Sequence, residues 1–140
     1  MAPSDTLAGL IDHTLLAPTA TRDRILALCD EAVRYGFSTV CVNGVWVREA
    51  ARRLAGSAVG VCAVVGFPLG ACTHAAKFFE AETAIADGAV ELDMVMDLGA
   101  LKGGDDARVR RDIEPIAAAA HDANARLKVI LETALLTPAE

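Results

Sequence analysis

Apolar positions along this chain follow two periods, and the periods alternate. From Thr21 to Gly36 (TRDRILALCDEAVRYG) Ile25, Leu28, Cys29, Ala32 and Val33 recur at the spacing of an amphipathic helix, with Thr21 as its cap and Gly36 as its stop. A β-branched run, Ser38 to Asn43 (STVCVN), predicts a strand, after which helical spacing returns through Trp46, Ala50 and Leu54 and ends near Gly56. Val59 to Phe67 (VGVCAVVGF) predicts a second strand, closed by Pro68 and Gly70, and Thr73 caps the helix THAAKFFEAETAIADG. A third strand is predicted over Ala89 to Asp97 (AVELDMVMD). The turn KGG follows, then a helix capped by Asp105 or Asp106 that runs through Asp122, and then a fourth strand, Arg126 to Thr133 (RLKVILET). Thr137-Pro138-Ala139-Glu140 has the composition of a helix start, with Thr as cap, Pro at the first position and Glu at the third.

Strands that alternate with helices imply right-handed βαβ units and a parallel α/β sheet. Two closed solutions compete, an eight-stranded (β/α) barrel and an open doubly wound sheet, and parity along the strands separates them. The third predicted strand puts Glu91, Asp93, Val95 and Asp97 on one side and Leu92, Met94 and Met96 on the other. The fourth puts Lys128, Ile130 and Glu132 on one side and Val129 and Leu131 on the other. A sheet covered by helices on both faces needs apolar side chains on both. A barrel lumen that opens into a site tolerates charge on its inner face. The pattern therefore favours a (β/α)8 TIM-barrel type, with four predicted strands in this chain.

At 140 residues the chain predicts a single domain, residues 1–140. Apolar residues make up 54%, yet Gly, Pro or charge breaks every run well short of the roughly 18 residues of a membrane span. The N-terminus carries no basic segment followed by an apolar core, so the expected location is cytoplasmic, with no membrane partner. A net charge of −6 argues against a nucleic-acid partner. Cys29, Cys41, Cys62 and Cys72 form no C-x-x-C pair and no zinc-finger spacing; they read as buried free thiols, and no metal or cofactor is expected. The three lysines are Lys77, Lys102 and Lys128, and the first and second read as solvated surface residues. His74 and His121 read likewise.

Lys128 in a buried strand needs a partner, because an unpaired ammonium in low dielectric is costly. If the last two strands are neighbours, Asp93 faces it, and Glu132 stands at a strand's carboxyl end, where barrel active sites lie. Such a pair is either a structural salt bridge or a proton relay, and an enclosed lysine is either an imine-forming nucleophile or the cation that depresses another lysine. Asp12 and Thr14, in IDHTLL, belong either to a capped loop or to a site, and Cys41 and Asn43 share a parity, with Asn43 ending its strand as a substrate-contact candidate. GFPLGAC, Gly66 to Cys72, allows close backbone approach but is weak as a phosphate signature.

The stretches IDHTLLAPTAT, STVCVN, VVGFPLGA, AVELDMVMDLGALKGG and LKVILETALLT, in unbroken order from about Leu10 to the last residue, together resemble deoxyribose-phosphate aldolases. These are class I aldolases on a (β/α)8 barrel, and the resemblance implies that only about the first four βα units are present in this chain. The resemblance implies reversible cleavage of 2-deoxyribose 5-phosphate to glyceraldehyde 3-phosphate and acetaldehyde through a lysine imine, without metal, in deoxyribonucleotide catabolism. It matches Asp93 to the relay aspartate and Lys128 to a supporting lumen lysine, and it places Asp12, Thr14 and Cys41 in the pocket. The family's imine-forming lysine lies in a later VKTSTG-like strand, so none of this chain's lysines matches it. Ala17 stands where many relatives have lysine, and Gly44-Val45 replaces a more usual Pro-Tyr. The implied partners are a sugar phosphate and an aldehyde, with homo-oligomerisation, as a dimer, expected from open strand edges. The alternative is an inactive half-barrel or a sugar-phosphate-binding remnant.

Overall fold

In the computed structural model, which describes residues 7–140, five parallel strands form one sheet. They are β1 (Asp12–Leu15), β2 (Thr39–Val42), β3 (Gly60–Val65), β4 (Glu91–Val95) and β5 (Arg126–Ile130). Between them run α1 (Arg22–Tyr35), α2 (Val47–Arg53), α3 (His74–Ala86), and the pair α4 (Leu98–Lys102) and α5 (Asp106–Asp122). Strand order in space is strand order in sequence. A doubly wound sheet reverses its order at a switch point, and this one does not, which is the topology of a barrel wall.

Sequence parity predicts the two faces correctly. Val40 and Val42, Val61, Ala63 and Val65, and Leu92 and Met94 pack with Ile25, Leu28, Cys29 and Ala32 of α1, Val47 and Ala50 of α2, Ala81 and Ala84 of α3, and Ile116 and Ala120 of α5. Cys41, Cys62 and Val64 form a separate small cluster with Leu16 on the other face. Burial of the first face, at roughly 25 cal/mol per Å² of apolar area, supplies most of the drive to fold.

Four expectations need correcting. The sheet has a fifth strand, because IDHTLL contributes β1, in register with β2 from Asp12↔Thr39 to Leu15↔Val42. Only four residues long and three of them polar, it shows no hydrophobic run; it is templated by β2. His13 is anchored behind the sheet, stacked on Phe37 at 4.6 Å and 2.8 Å from Glu31. Second, β5 is an edge strand with Lys128 exposed rather than buried; it ends at Ile130, and Glu132 adopts a left-handed backbone (φ 51°), so the predicted strand is three residues too long. Third, Lys77 is fully buried, and Cys72 is exposed. Fourth, Val33, assigned to the buried face of α1, is 51% exposed.

The punctuation is largely as expected. Gly36 takes a left-handed conformation (φ 71°) and donates its N–H to Ala32 O, ending α1. Thr73 caps α3, accepting from the Ala76 N–H at 3.3 Å, and Asp105, not Asp106, caps α5. Thr21 occupies its cap position without a side-chain cap bond. In the last four residues the Thr137 N–H donates to Glu140 Oε2 at 2.8 Å, while the Glu140 N–H donates to Thr137 Oγ1 at 3.4 Å, the reciprocal pattern of a capping box.

Candidate active site

The polar face of the sheet centres on Lys128. Register places it directly opposite Asp93 on the neighbouring strand, and the Nζ–Oδ1 separation is 3.2 Å. Two residues earlier on β4, Glu91 brings Oε1 to 2.5 Å from the same ammonium, and its Oε2 lies 3.1 Å from Arg126. Asp12 Oδ2, on β1, is the third carboxylate bonded to Lys128. Asp12 Oδ1 also accepts from Thr39 Oγ1 at 2.7 Å.

The contact between Lys128 and Asp12 reports the shape of the sheet. β5 and β1 are its two edges, and four strand spacings of about 4.8 Å would set them nearly 20 Å apart in a flat sheet, well beyond one lysine side chain. The sheet therefore curls toward its polar face, enclosing that face as a barrel encloses its lumen.

Electrostatics follow from this packing. Burial alone would lower the pKa of Lys128, but hydrogen bonds to Asp12 and Glu91 and the charge of Asp93 outweigh it and raise it well above the ordinary value of 10.5. The three carboxylates favour the ammonium form of Lys128, in which the nitrogen has no free lone pair for attack on a carbonyl. Burial would raise Asp12, yet the hydrogen bonds from Lys128 and Thr39 hold it below its ordinary 3.8. The Cys62 thiol is raised far above the ordinary range by its hydrogen bond with Cys41, by burial and by the charge of Asp93.

Of the residues singled out in the sequence, the fold brings Asp12, Cys41, Asp93 and Lys128 together. Cys41 Sγ lies 4.0 Å from Asp93 Oδ2. Thr14 shares the polar parity of β1, but its hydroxyl donates to the Asp12 carbonyl at 3.0 Å. Asn43 donates Nδ2 to the Leu16 carbonyl at 3.1 Å, tying the end of β2 to the loop after β1. Glu132 is exposed and is not among the partners of Lys128. Glu91, Thr39 and Arg126 were missed as members of the cluster. Glu91 carried a signal, since it shares the parity of Asp93 one residue pair earlier.

Comparison with known proteins follows the same outline. The sequence pattern of the DeoC/LacD family aldolases matches residues 6–140. A deoxyribose-phosphate aldolase from Listeria monocytogenes serotype 4a is 53% identical over 135 residues, covering 96% of this chain and 60% of the relative. One from Geobacillus sp. strain WCH70 is 51% identical over 136 residues, covering 97% of this chain and 60% of the relative. The tetrameric deoxyribose phosphate aldolase of Aeropyrum pernix superposes with a TM-score of 0.86 at 36% identity, over 96% of this chain and 56% of its own. The chain thus spans about 60% of the length of the curated relatives it matches.

Proposed function

This chain belongs to the DeoC/LacD aldolase family, and from that premise we propose that it carries the relay half of a deoxyribose-phosphate aldolase site. The proposed reaction is the reversible cleavage of 2-deoxyribose 5-phosphate to glyceraldehyde 3-phosphate and acetaldehyde. A lysine amine adds to the sugar carbonyl and loses water, and the resulting iminium accepts the electron pair of the breaking C–C bond as the substrate hydroxyl loses its proton; the enamine so formed takes a proton at carbon, and hydrolysis of that iminium releases acetaldehyde and returns the amine. Lys128 is the supporting cation. Asp93, beside the ammonium and the Cys41 thiol, moves the proton between the substrate hydroxyl and water. Asp12, Thr14, Cys41, Asn43 and Glu132 are proposed substrate contacts, Asn43 through the loop it clamps and Glu132 from the exposed rim.

The single observation that carries this reading is the three-carboxylate embrace of Lys128 on the concave face. It also speaks against an imine on Lys128 itself. Three carboxylates favour the ammonium form of Lys128, Lys77 is locked in a buried ion pair with Asp112, and Lys102 sits on the surface bound to Glu140. The nucleophile is therefore proposed to be none of these three. No helix among the described residues is long and apolar enough to cross a membrane, which accords with the proposed cytoplasmic location. Homodimerisation is proposed as well, tested by light scattering.

The test joins this chain to the remaining part of the Listeria relative and measures acetaldehyde release from deoxyribose 5-phosphate, with borohydride trapping and mass spectrometry to find the imine. Turnover is expected, falling by at least about a hundredfold in Asp93→Asn, in the range of a lost general acid–base group. The 140-residue chain alone is expected to yield no trapped adduct with acetaldehyde. A folded chimaera without turnover would overturn the reading. A reduced ethyl adduct on Lys128 would overturn its role as a cation.

A further inference from the structure

Cys41, Cys62 and Asp93 stand together on the concave face, and their donor atoms, two sulfurs and a carboxylate oxygen, all lie within 4.8 Å of one another. The two thiols belong to adjacent strands in direct register, Cys41↔Cys62, so the backbone holds them side by side. Asp93 is the least satisfied carboxylate of the neighbourhood. Its Oδ1 is buried and makes no hydrogen bond, since its contact with Lys128 at 3.2 Å is electrostatic rather than directed. Asp12 and Glu91, by contrast, both accept close bonds from that lysine.

We infer that Cys41, Cys62 and Asp93 form a binding site for a thiophilic divalent cation, zinc or cadmium. Two thiolates and a carboxylate are a donor set suited to such an ion, which prefers tetrahedral coordination. Zinc with sulfur near 2.3 Å holds its donors about 3.7 Å apart, so the site closes by rotating side chains through about an ångström, with no change in strand register. Binding exchanges protons for the cation: each thiol releases one proton as its sulfur donates to the metal, and Asp93 enters as the carboxylate. The resulting assembly carries one net negative charge, the same as Asp93 beside two neutral thiols, so binding leaves the charge facing the Lys128 ammonium unchanged. A fourth coordination position stays open to water.

An occupied site would engage Asp93. Inhibition of the aldol reaction would follow, a consequence that rests on the function proposed above. Binding itself does not, and so it is measured without aldehyde or sugar.

The experiment titrates the reduced chain with Zn2+ by calorimetry and with Cd2+ by ultraviolet absorption, while circular dichroism follows the fold. The expected result is one ion per chain, a sulfur-to-cadmium charge-transfer band, and an unchanged dichroism spectrum. The band should be lost in Cys41→Ser and in Cys62→Ser, and retained in Cys72→Ser, which removes the exposed thiol. Asp93→Asn should keep the band but weaken binding by at least about tenfold. If Cys62→Ser fails to fold, Cys41→Ser and Asp93→Asn still decide the matter. Absence of saturable binding, a band that depends on Cys72, or an affinity indifferent to Asp93 would each overturn the site.

Discussion

Lys128, on the last strand of the sheet, is ion-paired to Asp12, on the first, across the whole width of the concave face. The same ammonium serves Glu91 and Asp93, so removing it leaves three carboxylates facing one another, with Arg126 beside Glu91. Lys128→Met keeps an unbranched side chain, shorter by one heavy atom, and deletes the charge. Its stability at neutral pH is expected to fall by about 1–3 kcal/mol, less than for a fully buried pair because the Lys128 side chain is 45% exposed. The deficit should shrink as the pH is lowered through the carboxylate range and repulsion disappears. Urea unfolding at several pH values checks this, and a deficit that is constant with pH would assign the loss to packing.

The wild-type pH dependence follows from the same pair. Asp12 is depressed in the fold below 3.8, so at moderately acid pH the unfolded chain binds more protons, and stability rises with pH. Its contribution is present above the ordinary value and is lost as pH falls through the folded one. Lys128 is raised above 10.5, so its contribution is present below that value and is lost as pH rises toward the folded one. The expected profile is a plateau across neutral pH with a limb at each end. Asp12→Asn should flatten part of the acid limb and, by removing a partner of Lys128, bring the alkaline limb to lower pH. An unchanged pair of limbs would count against the assignment.

Lys77 and Asp112 form a second ion pair, on the helical side. Nζ lies 2.5 Å from Oδ2, with the side chains 0% and 6% exposed. Asp112 Oδ2 also accepts from the Asp97 N–H at 3.1 Å, so the pair fixes the start of the loop after β4. Lys77→Ala or Asp112→Ala each strands a buried charge and is expected to cost about 3–5 kcal/mol, whereas Lys77→Met combined with Asp112→Leu should cost much less. Thermal and urea unfolding of the three variants give the comparison. Equal losses in the single and double variants would mean that packing, not charge, governs the site.

That pair also marks where the sequence was legible and where it was not. The barrel-like architecture and the facing of Asp93 and Lys128 follow from strand parity, because in a strand the facing of a side chain is set by alternation alone. The burial of Lys77 was harder to see. A lysine on a helix usually reaches water, and only spacing hinted otherwise, since Lys77, Ala81 and Ala84 lie on one buried stripe and Asp112, Ile116 and Ala120 on another. Each stripe looks apolar except for one charge, and the two charges neutralise each other only once α3 and α5 meet. β1 was unreadable for a related reason: a four-residue strand with three polar residues owes its existence to the edge of β2. Glu132 was misplaced because alternation holds only while the strand lasts, and the backbone turns left-handed there.

The loop after β3 offers a final test, in which one glycine is needed for two separate reasons. Gly70 has φ +64°, and a Cβ there would meet the Met96 carbonyl oxygen at 2.2 Å and Val95 Cγ1 at 2.9 Å. Gly36, at the end of α1, has a similar φ of +71° but open space around the missing Cβ. Alanine at either position incurs the left-handed backbone cost of roughly 1–2 kcal/mol. Only at Gly70 does it also collide with backbone, and that backbone leads directly from β4, which carries Asp93. Gly36→Ala is therefore expected to lose about 1 kcal/mol, and Gly70→Ala at least about 2 kcal/mol more. Because the collision lies beside Met96, Gly70→Ala should also disturb the end of β4, read as faster amide exchange at Val95 and Met96. Equal losses for the two glycines would show that conformation alone is at stake and that the loop gives way without displacing β4.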